Sequence, residues 1–338
     1  MLEEQIAVCQ PDIAVLTDEM AAKRLQSRYV GKTKILSGEE GLMAAATYAK
    51  TDTVLAAMVG YVGLRPVLAA IDCGKNIALA NKETLVAAGS IVMSEVARKG
   101  VRLTPVDSEH SAIFQALQGG RKNEVKSLII TASGGPFRGK TKTDLAKVTL
   151  EQCLKHPNWN MGPKVTIDSS TLANKGLEII EAHWLFAMPY SKIKVVVHPE
   201  SVVHSLVEFC DGSVLAQLGN PDMRLPIQYA LSYPQRFEYS FQTLDLVKYG
   251  KLTFEEPDLQ AFPALALARK CGEAGGIMPC VFNAANEEAV KKFLAGEISY
   301  LDIYSLTEKI VNSFKNIENC TLEDIEMADK TAREMVKK

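Results

Sequence analysis

A chain of 338 residues, with 47% hydrophobic and 23% charged residues, is long enough for two or three globular domains. Its formal net charge of −2 excludes the strong basic excess typical of nucleic-acid or anionic-membrane binding, and no run of about 18 apolar residues predicts a membrane span. Seven scattered cysteines without a CxxC pair, and an N-terminus unlike a signal peptide, predict a cytoplasmic protein or a mature organellar form.

The first part of the chain alternates apolar strands with helices. Strands are predicted at 12–16, 53–60, 76–81 and 101–106. The helices between them are predicted at 17–29, 38–50, 64–74 and 84–100. Strands that are apolar throughout indicate a parallel sheet covered on both faces. Residues 1–106 are therefore predicted to form part of a Rossmann-like nucleotide-binding domain.

A glycine-rich phosphate turn is not found at the start of this domain. No GxGxxG-like string precedes Gly60, and the chain begins within a predicted helix. We therefore expect a leading βαβ unit of roughly 30–40 residues to be missing. The turn Gly60–Gly63 is interpreted as a strand-to-helix turn in preference to a phosphate loop.

Acidic residues follow the strand at 101–106. On an extended backbone Asp107 and Glu109 would point to one side, where they are either two solvated acids or two ligands of a cation. Helical spacing places Asn174, Lys175 and Glu178 close together further along the chain, where a surface pair of Lys175 with Glu178 is the simpler interpretation. Should Glu178 join the first two acids, a divalent cation makes the arrangement favourable, and an all-oxygen shell selects Mg²⁺ or Mn²⁺.

A phosphate site is predicted from two further segments. The glycines of Ser133–Pro136 follow a buried strand and expose backbone N–H groups, which is typical of an anion nest. A strand is predicted at 164–168, followed by a long helix capped by Asp168, Ser169 or Ser170, whose N-terminus favours an anion. Each motif alone is ordinary, since a serine cap is usually only a cap. Together with Asn174 and Lys175 they favour phosphate binding.

Three other segments carry candidate residues. The loop 156–162, HPNWNMG, has Trp and Met among Pro, Asn and Gly, which predicts a lid or a loop packed against the core, with His156 reaching a phosphate. Asn81, Lys82 and Glu83 stand at the carboxyl edge of the sheet, where Lys82 can bond a substrate oxygen and Glu83 a sugar hydroxyl. For the histidine at position 198 a core role is as plausible as an active-site role.

The rest of the chain predicts an open sheet and a helical bundle. Strands at 192–198, 205–210 and 213–219, the last two joined by Asp211–Gly212, read as an antiparallel or mixed sheet that favours pairing with a second subunit. Residues 234–262 lack a clear period and are predicted to be a linker. Amphipathic segments are predicted at 263–273, 281–295, 301–315 and 321–337.

The strings LANKE, PVDSEH, SGGPF, HPNWNMG, DSSTLANKGLE, HPESVVHS and GSVLAQLGNPDMR together resemble the 1-deoxy-D-xylulose 5-phosphate reductoisomerase family over essentially the whole chain. The resemblance implies that Mg²⁺ or Mn²⁺ is held by Asp107, Glu109 and Glu178. The residues that it implies for the substrate's phosphate and hydroxyls are Lys82, Ser108, Glu109, Ser133, His156, Ser169, Asn174, Lys175 and Glu178. Those that it implies for NADPH are Asn81, Glu83, Gly162 and Met223, with Trp159 and Met161 in the closing flap.

The resemblance also implies an architecture and a reaction. The expected fold is α/β, with an N-terminally truncated Rossmann-like sheet in 1–106, a catalytic, metal-binding and dimerisation domain with an open sheet in 107–233, a linker in 234–262 and a four-helix bundle in 263–338. The expected activity of the homodimer is the rearrangement of a sugar phosphate by retro-aldol and aldol steps, followed by hydride transfer from NADPH. Two alternatives stay open: a metal-dependent sugar-phosphate aldolase or isomerase, and an inactive fragment that dimerises without binding NADPH.

Overall fold

Parallel strands and covering helices make up the N-terminal part of the computed structural model, which describes residues 1–238 and 240–338. The strands are β1 (Ile13–Leu16), β2 (Lys34–Ser37), β3 (Thr53–Ala56), β4 (Asn76–Leu79) and β5 (Leu103–Pro105). The helices are α1 (Leu2–Cys9), α2 (Glu19–Gln26), α3 (Gly38–Ala46), α4 (Leu64–Asp72) and α5 (Glu83–Lys99). Strands β1 and β2 pair in parallel, and β3, β4 and β5 form a second parallel set in that order. The predicted Rossmann-like alternation is confirmed.

Local sequence signals explain several of these boundaries. Asp18 caps α2 by accepting a hydrogen bond of 2.9 Å from the backbone N–H of Ala21. Gly60 has a φ of +75°, and the chain passes through a short 3₁₀ turn into α4, so this segment is the strand-to-helix turn that was expected. The prediction missed β2, whose four residues include Ile35 as the only buried one. A strand this short carries too little periodicity to be recognised.

A mixed sheet forms the centre of the chain. Its strands are β6 (Val125–Ala132), β7 (Ile193–Val197), β8 (Val203–Phe209) and β9 (Val214–Leu218). Their order is β7-β6-β8-β9, with β6 parallel to β7 and antiparallel to β8, and with β8 antiparallel to β9. The helices in this part are α6 (Ser108–Ala116), α7 (Lys142–Leu145), α8 (Leu150–Cys153), α9 (Pro163–Ser170), α10 (Ala173–Phe186) and α11 (Arg224–Ser232). The predicted open sheet and its hairpin turn are confirmed.

The strand predicted at 164–168 is wrong, because these residues lie in α9. The β-branched run of Val, Thr and Ile suggested a strand, but Pro163 stands at the first helical position, where its fixed φ suits a helix. Lys164 and Asp168 form an ion pair of 2.9 Å at i,i+4 spacing, which only a helix brings together. The predicted caps of the following helix are wrong too, since α10 begins at Ala173 after Leu172, which has a φ of +60°.

Within residues 263–338, all of which the structure describes, the chain forms the four predicted helices. They are α13 (Ala264–Ala274), α14 (Met278–Leu294), α15 (Tyr300–Ser313) and α16 (Leu322–Lys337). Helix α14 is central: it packs against α13, α15, α16 and also against α5 and α9 of the preceding parts. A Cβ on Gly176 of α10 would lie 2.3 Å from the Cβ of Ala268 in α13. This close approach explains why α10 carries a glycine in its interior.

The predicted linker runs along the surface of the mixed sheet. Apart from α12 (Leu246–Tyr249), it has no regular helix or strand among its described residues, and Tyr239 lies outside them. Glu255 exchanges two backbone hydrogen bonds of 2.8 and 2.9 Å with Val197 at the end of β7. None of the helices in the described part of the chain combines the length and the apolarity needed to cross a bilayer.

Candidate active site

Loops that follow β4, β5 and β6 surround a cavity of about 320 Å³ between the parallel strands and the mixed sheet. The carboxyl edge of such a sheet is where ligands bind in open α/β folds. Most residues proposed from the sequence line this cavity: Lys82, Asp107, Ser108, Glu109, Ser133, His156, Trp159, Met161, Ser169, Asn174, Lys175, Glu178 and Met223. Asn81, Glu83 and Gly162 do not.

Three carboxylates converge at one end of the cavity. Each of Asp107, Glu109 and Glu178 offers an oxygen, and these oxygens lie within 4.8 Å of one another. The expectation that an extended backbone aligns the first two is wrong, since Asp107 caps α6 and Glu109 lies in its first turn. Asp107 accepts a hydrogen bond of 3.0 Å from the backbone N–H of Ser108. The start of a helix, and not a strand, therefore presents both acids to Glu178.

Two buried lysines partly neutralise these acids. Lys82 Nζ lies 2.7 Å from Asp107 Oδ2 and 3.2 Å from Glu178 Oε1. Lys175 Nζ lies 2.8 Å from Glu109 Oε1 and also contacts Glu178 Oε2. With every group ionised, three carboxylates and two ammonium groups leave one negative charge. The sequence suggested a pair of Lys175 with Glu178, but on the surface, whereas both side chains are buried. It did not predict that Lys82 pairs with Asp107 and Glu178, or that Lys175 also pairs with Glu109.

The carboxylates differ sharply in proton affinity. Burial, with the nearby Glu109 charge, raises the pKa of Glu178 to about 7. Burial acts in the same direction on Glu109, but the adjacent ammonium groups of Lys175 and Lys82 outweigh it and lower that pKa to about 2. An all-oxygen set at this spacing fits a hard divalent cation such as Mg²⁺, whose charge would favour the ionised form of all three acids.

A second buried layer supports Glu178 from behind. His110 Nε2 donates a hydrogen bond of 2.9 Å to the backbone carbonyl of Glu178, and burial lowers the pKa of this histidine to about 4. Its Nδ1 lies 3.3 Å from Oε2 of Glu181, a fully buried carboxyl whose pKa burial raises well above the usual range. The sequence interpretation missed Glu181, although its place one turn after Glu178 was a signal that could have found it.

The residues predicted to bind a phosphate come together, but Ser169 does not lie at the predicted helix N-terminus. Ser133 Oγ accepts a hydrogen bond of 3.2 Å from the Gly135 N–H, and Gly135 has a φ of +65°. A Cβ on Gly135 would lie 2.8 Å from the carbonyl oxygen of Ser169, so only glycine allows this close approach. Ser169 lies in the last turn of α9 and not at a helix N-terminus, so the predicted helix-dipole contribution to anion binding is wrong.

The loop 156–162, predicted to be a lid or a loop packed against the core and called the lid below, contributes His156, Trp159 and Met161 to the lining of the cavity. His156 Nδ1 accepts hydrogen bonds of 3.2 and 3.0 Å from the N–H groups of Asn158 and Trp159, and its Nε2 lies 2.9 Å from Ser133 Oγ. Asn158 donates to Ser201 Oγ at 2.9 Å. Burial lowers the pKa of His156, so the neutral ring, which can offer an N–H to an anion, is favoured over the cationic form.

Asn81 and Glu83, predicted at the nucleotide edge, bond chiefly to the protein itself. The Asn81 amide donates to the Gly60 carbonyl at 2.9 Å and to Glu83 Oε2 at 3.1 Å, and its oxygen accepts from the Thr84 N–H at 3.0 Å. Glu83 Oε1 lies 2.9 Å from Lys164 Nζ. Asn81 thus shapes the Gly60 turn, and Glu83 begins α5 as an ionised carboxylate.

The two histidines of the segment HPESVVHS have different places. His198 is fully buried and does not line the cavity. Its Nδ1 donates a hydrogen bond of 2.8 Å to the Thr253 carbonyl, and its ring stacks on Phe254. Of the two roles considered from the sequence, His198 therefore has the role of a buried core histidine. His204 lines the cavity, with its ring centroid 6.0 Å from that of Trp159 in the lid.

Comparison with protein families gives matches along the chain. A family described as 1-deoxy-D-xylulose 5-phosphate reductoisomerase matches residues 1–89. A family described as the C-terminal domain of 1-deoxy-D-xylulose 5-phosphate reductoisomerase matches 103–186. A third, described as the DXP reductoisomerase C-terminal domain, matches 218–335.

Individual proteins agree with these matches. A 1-deoxy-D-xylulose 5-phosphate reductoisomerase of Geobacillus kaustophilus is 54% identical over 333 residues, which cover 98% of this chain and 87% of the relative. One of Exiguobacterium sibiricum is 52% identical over 328 residues, which cover 97% of this chain and 85% of the relative.

Solved structures show the same similarity in three dimensions. The 1-deoxy-D-xylulose 5-phosphate reductoisomerase from Zymomonas mobilis in complex with NADPH is 42% identical, with a TM-score of 0.92 and coverage of 99% of this chain and 87% of that one. A DOX-P reductoisomerase in complex with NADPH, fosmidomycin and magnesium is 40% identical, with a TM-score of 0.93 and coverage of 99% of this chain and 88% of that one.

Proposed function

Because the chain belongs to the 1-deoxy-D-xylulose 5-phosphate reductoisomerase family, we propose that it converts 1-deoxy-D-xylulose 5-phosphate into 2-C-methyl-D-erythritol 4-phosphate with NADPH and a divalent cation. This reaction belongs to the non-mevalonate route to isoprenoid precursors. The observation that carries the proposal is the single cavity that joins three carboxylates, two lysines and the Ser133–His156 pair beside the carboxyl edge of the nucleotide-binding strands.

Roles for individual residues are proposed from the family resemblance, and for all of them except Asn81, Glu83 and Gly162 their places around the cavity support the assignment. We assign the cation, Mg²⁺ or Mn²⁺, to Asp107, Glu109 and Glu178. We assign the sugar phosphate to Lys82, Ser108, Glu109, Ser133, His156, Ser169, Asn174, Lys175 and Glu178. We assign NADPH to Asn81, Glu83, Gly162 and Met223, with Trp159 and Met161 in the flap.

The protein's own side chains account for binding, orientation and exclusion of water. A bound divalent cation supplies Lewis-acid polarisation of a carbonyl, and bound NADPH supplies hydride. Lys82, held between Asp107 and Glu178, presents an ammonium group that can hold a substrate oxygen near the acids. The Ser133–His156 pair offers O–H and N–H donors to a phosphate, and that remote contact supplies binding energy for orientation. The lid, anchored through Asn158, covers the cavity and keeps water out.

The reaction can be tested directly with the purified protein. We expect NADPH consumption, followed by absorbance, only when 1-deoxy-D-xylulose 5-phosphate and Mg²⁺ are both present, together with formation of the branched product. Chelation of the cation should stop the reaction, and readdition of Mg²⁺ or Mn²⁺ should restore it. Conversion of the substrate without NADPH consumption would instead identify an aldolase or isomerase, and absence of NADPH binding would contradict the proposal.

We also propose that the protein is a homodimer that pairs through β9. This strand lies at the edge of the mixed sheet, and its Val214 and Leu215 side chains are 47% and 40% exposed. An exposed apolar edge strand is a template for pairing with a second copy. Sedimentation should give twice the mass of one chain, and Val214→Lys should shift the protein towards the monomer. Val247→Lys, at an exposed position in α12, is the matched control; a monomeric starting protein would disprove the dimer.

Two further assignments complete the proposal. We place the protein in the cytoplasm, since all seven cysteines are free, as suits a reducing compartment. We divide the chain into a nucleotide-binding domain (1–106), a catalytic, metal-binding and dimerisation domain (107–233), a linker (234–262) and a C-terminal bundle (263–338).

A further inference from the structure

Lys164 connects the nucleotide edge, helix α9 and, through Asp168, the C-terminal bundle. No role in binding the substrate or the cation has been assigned to it. It stands two residues after Gly162, where the lid ends and α9 begins, and its side chain is 16% exposed. Its Nζ lies 2.9 Å from Glu83 Oε1 at the nucleotide edge and 2.9 Å from Asp168 Oδ2 within α9. The lid is thus tied at its C-terminal end to the first residue of α5.

The Asp168 end of this network is anchored in the C-terminal bundle. Asp168 is fully buried, and its Oδ1 accepts a hydrogen bond of 2.8 Å from Nδ2 of Asn286. Asn286 is itself buried in the central helix α14. Because Asp168 is held from the far side, it fixes the Lys164 ammonium group in place instead of following it.

The other end of the network acts on Glu83. Burial opposes ionisation of this carboxyl, but the Lys164 charge and hydrogen bond outweigh burial and lower its pKa below the usual value. The two Glu83 oxygens are thereby directed, one to Lys164 and the other to the Asn81 amide at 3.1 Å. Because each carboxylate oxygen can accept more than one hydrogen bond, Glu83 held in this way can still accept one from a hydroxyl group such as that of a ribose.

We propose that Lys164 is a positioning residue for NADPH, which aims the Glu83 carboxylate at the cofactor and holds the end of the lid against the nucleotide edge. This inference rests on the proposed function, because Glu83 is taken to contact NADPH. Lys164 contacts neither the three acids nor the Ser133–His156 pair among its described ion pairs and hydrogen bonds. Its effect should therefore fall on the cofactor and spare the sugar phosphate and the cation.

The test compares Lys164→Met, Lys164→Arg and the unchanged protein. We expect Lys164→Met to raise the Kd and KM for NADPH about tenfold or more, the fold-change that corresponds to loss of a charge-assisted hydrogen bond. The KM for 1-deoxy-D-xylulose 5-phosphate at saturating NADPH, and the Mg²⁺ affinity, should stay unchanged. Lys164→Arg should recover most of the NADPH affinity, since Lys164 borders a cavity of about 410 Å³ with room for a guanidinium.

Matched variants separate positioning from a general structural effect. Lys155→Met changes an exposed lysine at the opposite end of the lid, paired only with Glu151 in the described part of the chain, and should behave as the unchanged protein. Glu83→Gln combined with Lys164→Met should weaken NADPH binding no more than Glu83→Gln alone, since the lysine acts through the glutamate. If Lys164→Met does not fold, Lys164→Gln, which is shorter but keeps a polar N–H donor without the charge, takes its place.

The outcomes distinguish this inference from the proposed function. Failure of the unchanged protein to bind NADPH would overturn both. Normal NADPH affinity in Lys164→Met, or additive effects in the double variant, would overturn the positioning role alone. An equal loss of affinity for NADPH, sugar phosphate and Mg²⁺ that Lys164→Arg does not restore would show that Lys164 serves only the stability of the fold.

Discussion

Replacement of Glu178 by glutamine, or of Asp107 by asparagine, is expected to abolish metal-dependent turnover. Each change keeps the size of the side chain but removes one of the three carboxylates that converge within 4.8 Å. Lewis-acid activation contributes several kcal/mol, so loss of the cation should lower kcat/KM by about a thousandfold or more. Steady-state rates over a series of Mg²⁺ concentrations, with Mg²⁺ affinity measured by calorimetry, provide the test.

A matched control is available on the surface of the mixed sheet. Glu208 pairs with the exposed Lys126 and Lys194 and does not line the cavity, so Glu208→Gln should leave the Mg²⁺ dependence of turnover unchanged. Thermal unfolding of each variant distinguishes loss of the cation from loss of the fold. Near-normal activity in Glu178→Gln or Asp107→Asn would show that the metal assignment is wrong.

Cation affinity is expected to weaken about fiftyfold between pH 7 and pH 5, because Glu178 must lose a proton before it can act as a ligand. Burial raises the pKa of this carboxyl to about 7 in the metal-free protein, whereas the pKa of Glu109 is about 2, so only Glu178 of this pair titrates in the range. Below its pKa the affinity should fall about tenfold for each pH unit, and above it the affinity should level off. Calorimetry in buffers of different ionisation enthalpy should detect about one proton released per cation below pH 7 and none well above it.

The same protonation governs the stability of the metal-free protein. The folded-state pKa of Glu178 lies above the ordinary value for glutamate, so its contribution to the free energy of unfolding is fully present at acid pH and is lost as pH rises through about 7. Bound Mg²⁺ offsets this loss, and the rise in Tm that Mg²⁺ produces should therefore be larger at pH 8 than at pH 5. An affinity and a Tm shift independent of pH between 5 and 8 would contradict the proton affinity assigned to Glu178.

Periodicity and turn chemistry predicted most of the fold. Apolar runs such as 76–81, the Asp211–Gly212 turn and the amphipathic segments after residue 262 carry their structure in neighbouring residues, so they can be read without tertiary contacts. The short strand β2 and the helix α9 were mispredicted for the opposite reason. In α9 the β-branched residues favour a strand, but Pro163 and the pair of Lys164 with buried Asp168 favour the helix.

The chain's own residues also determined the chemistry of the site, because carboxylates, lysines and a serine-glycine turn limit what can be bound. The sequence alone led to the three acids and to Ser133, His156 and Lys175, which the structure places around one cavity. It could not foresee that Lys82 pairs with Asp107 and that Lys175 pairs with Glu109. Nor could it foresee that His110 and Glu181 lie behind Glu178.

Only the tertiary structure decided the charges of these groups and the connection of the lid to the rest of the protein. Proton affinity depends on burial and on charges brought together from distant positions. The nearby Lys175 ammonium group lowers the pKa of Glu109 to about 2, whereas burial raises the pKa of Glu178 to about 7. The Lys164 network likewise joins Glu83, Asp168 and Asn286, which lie on three helices far apart in the chain. Local pattern specifies which groups the chain carries; folding specifies which of them are ionised and which hold one another in place.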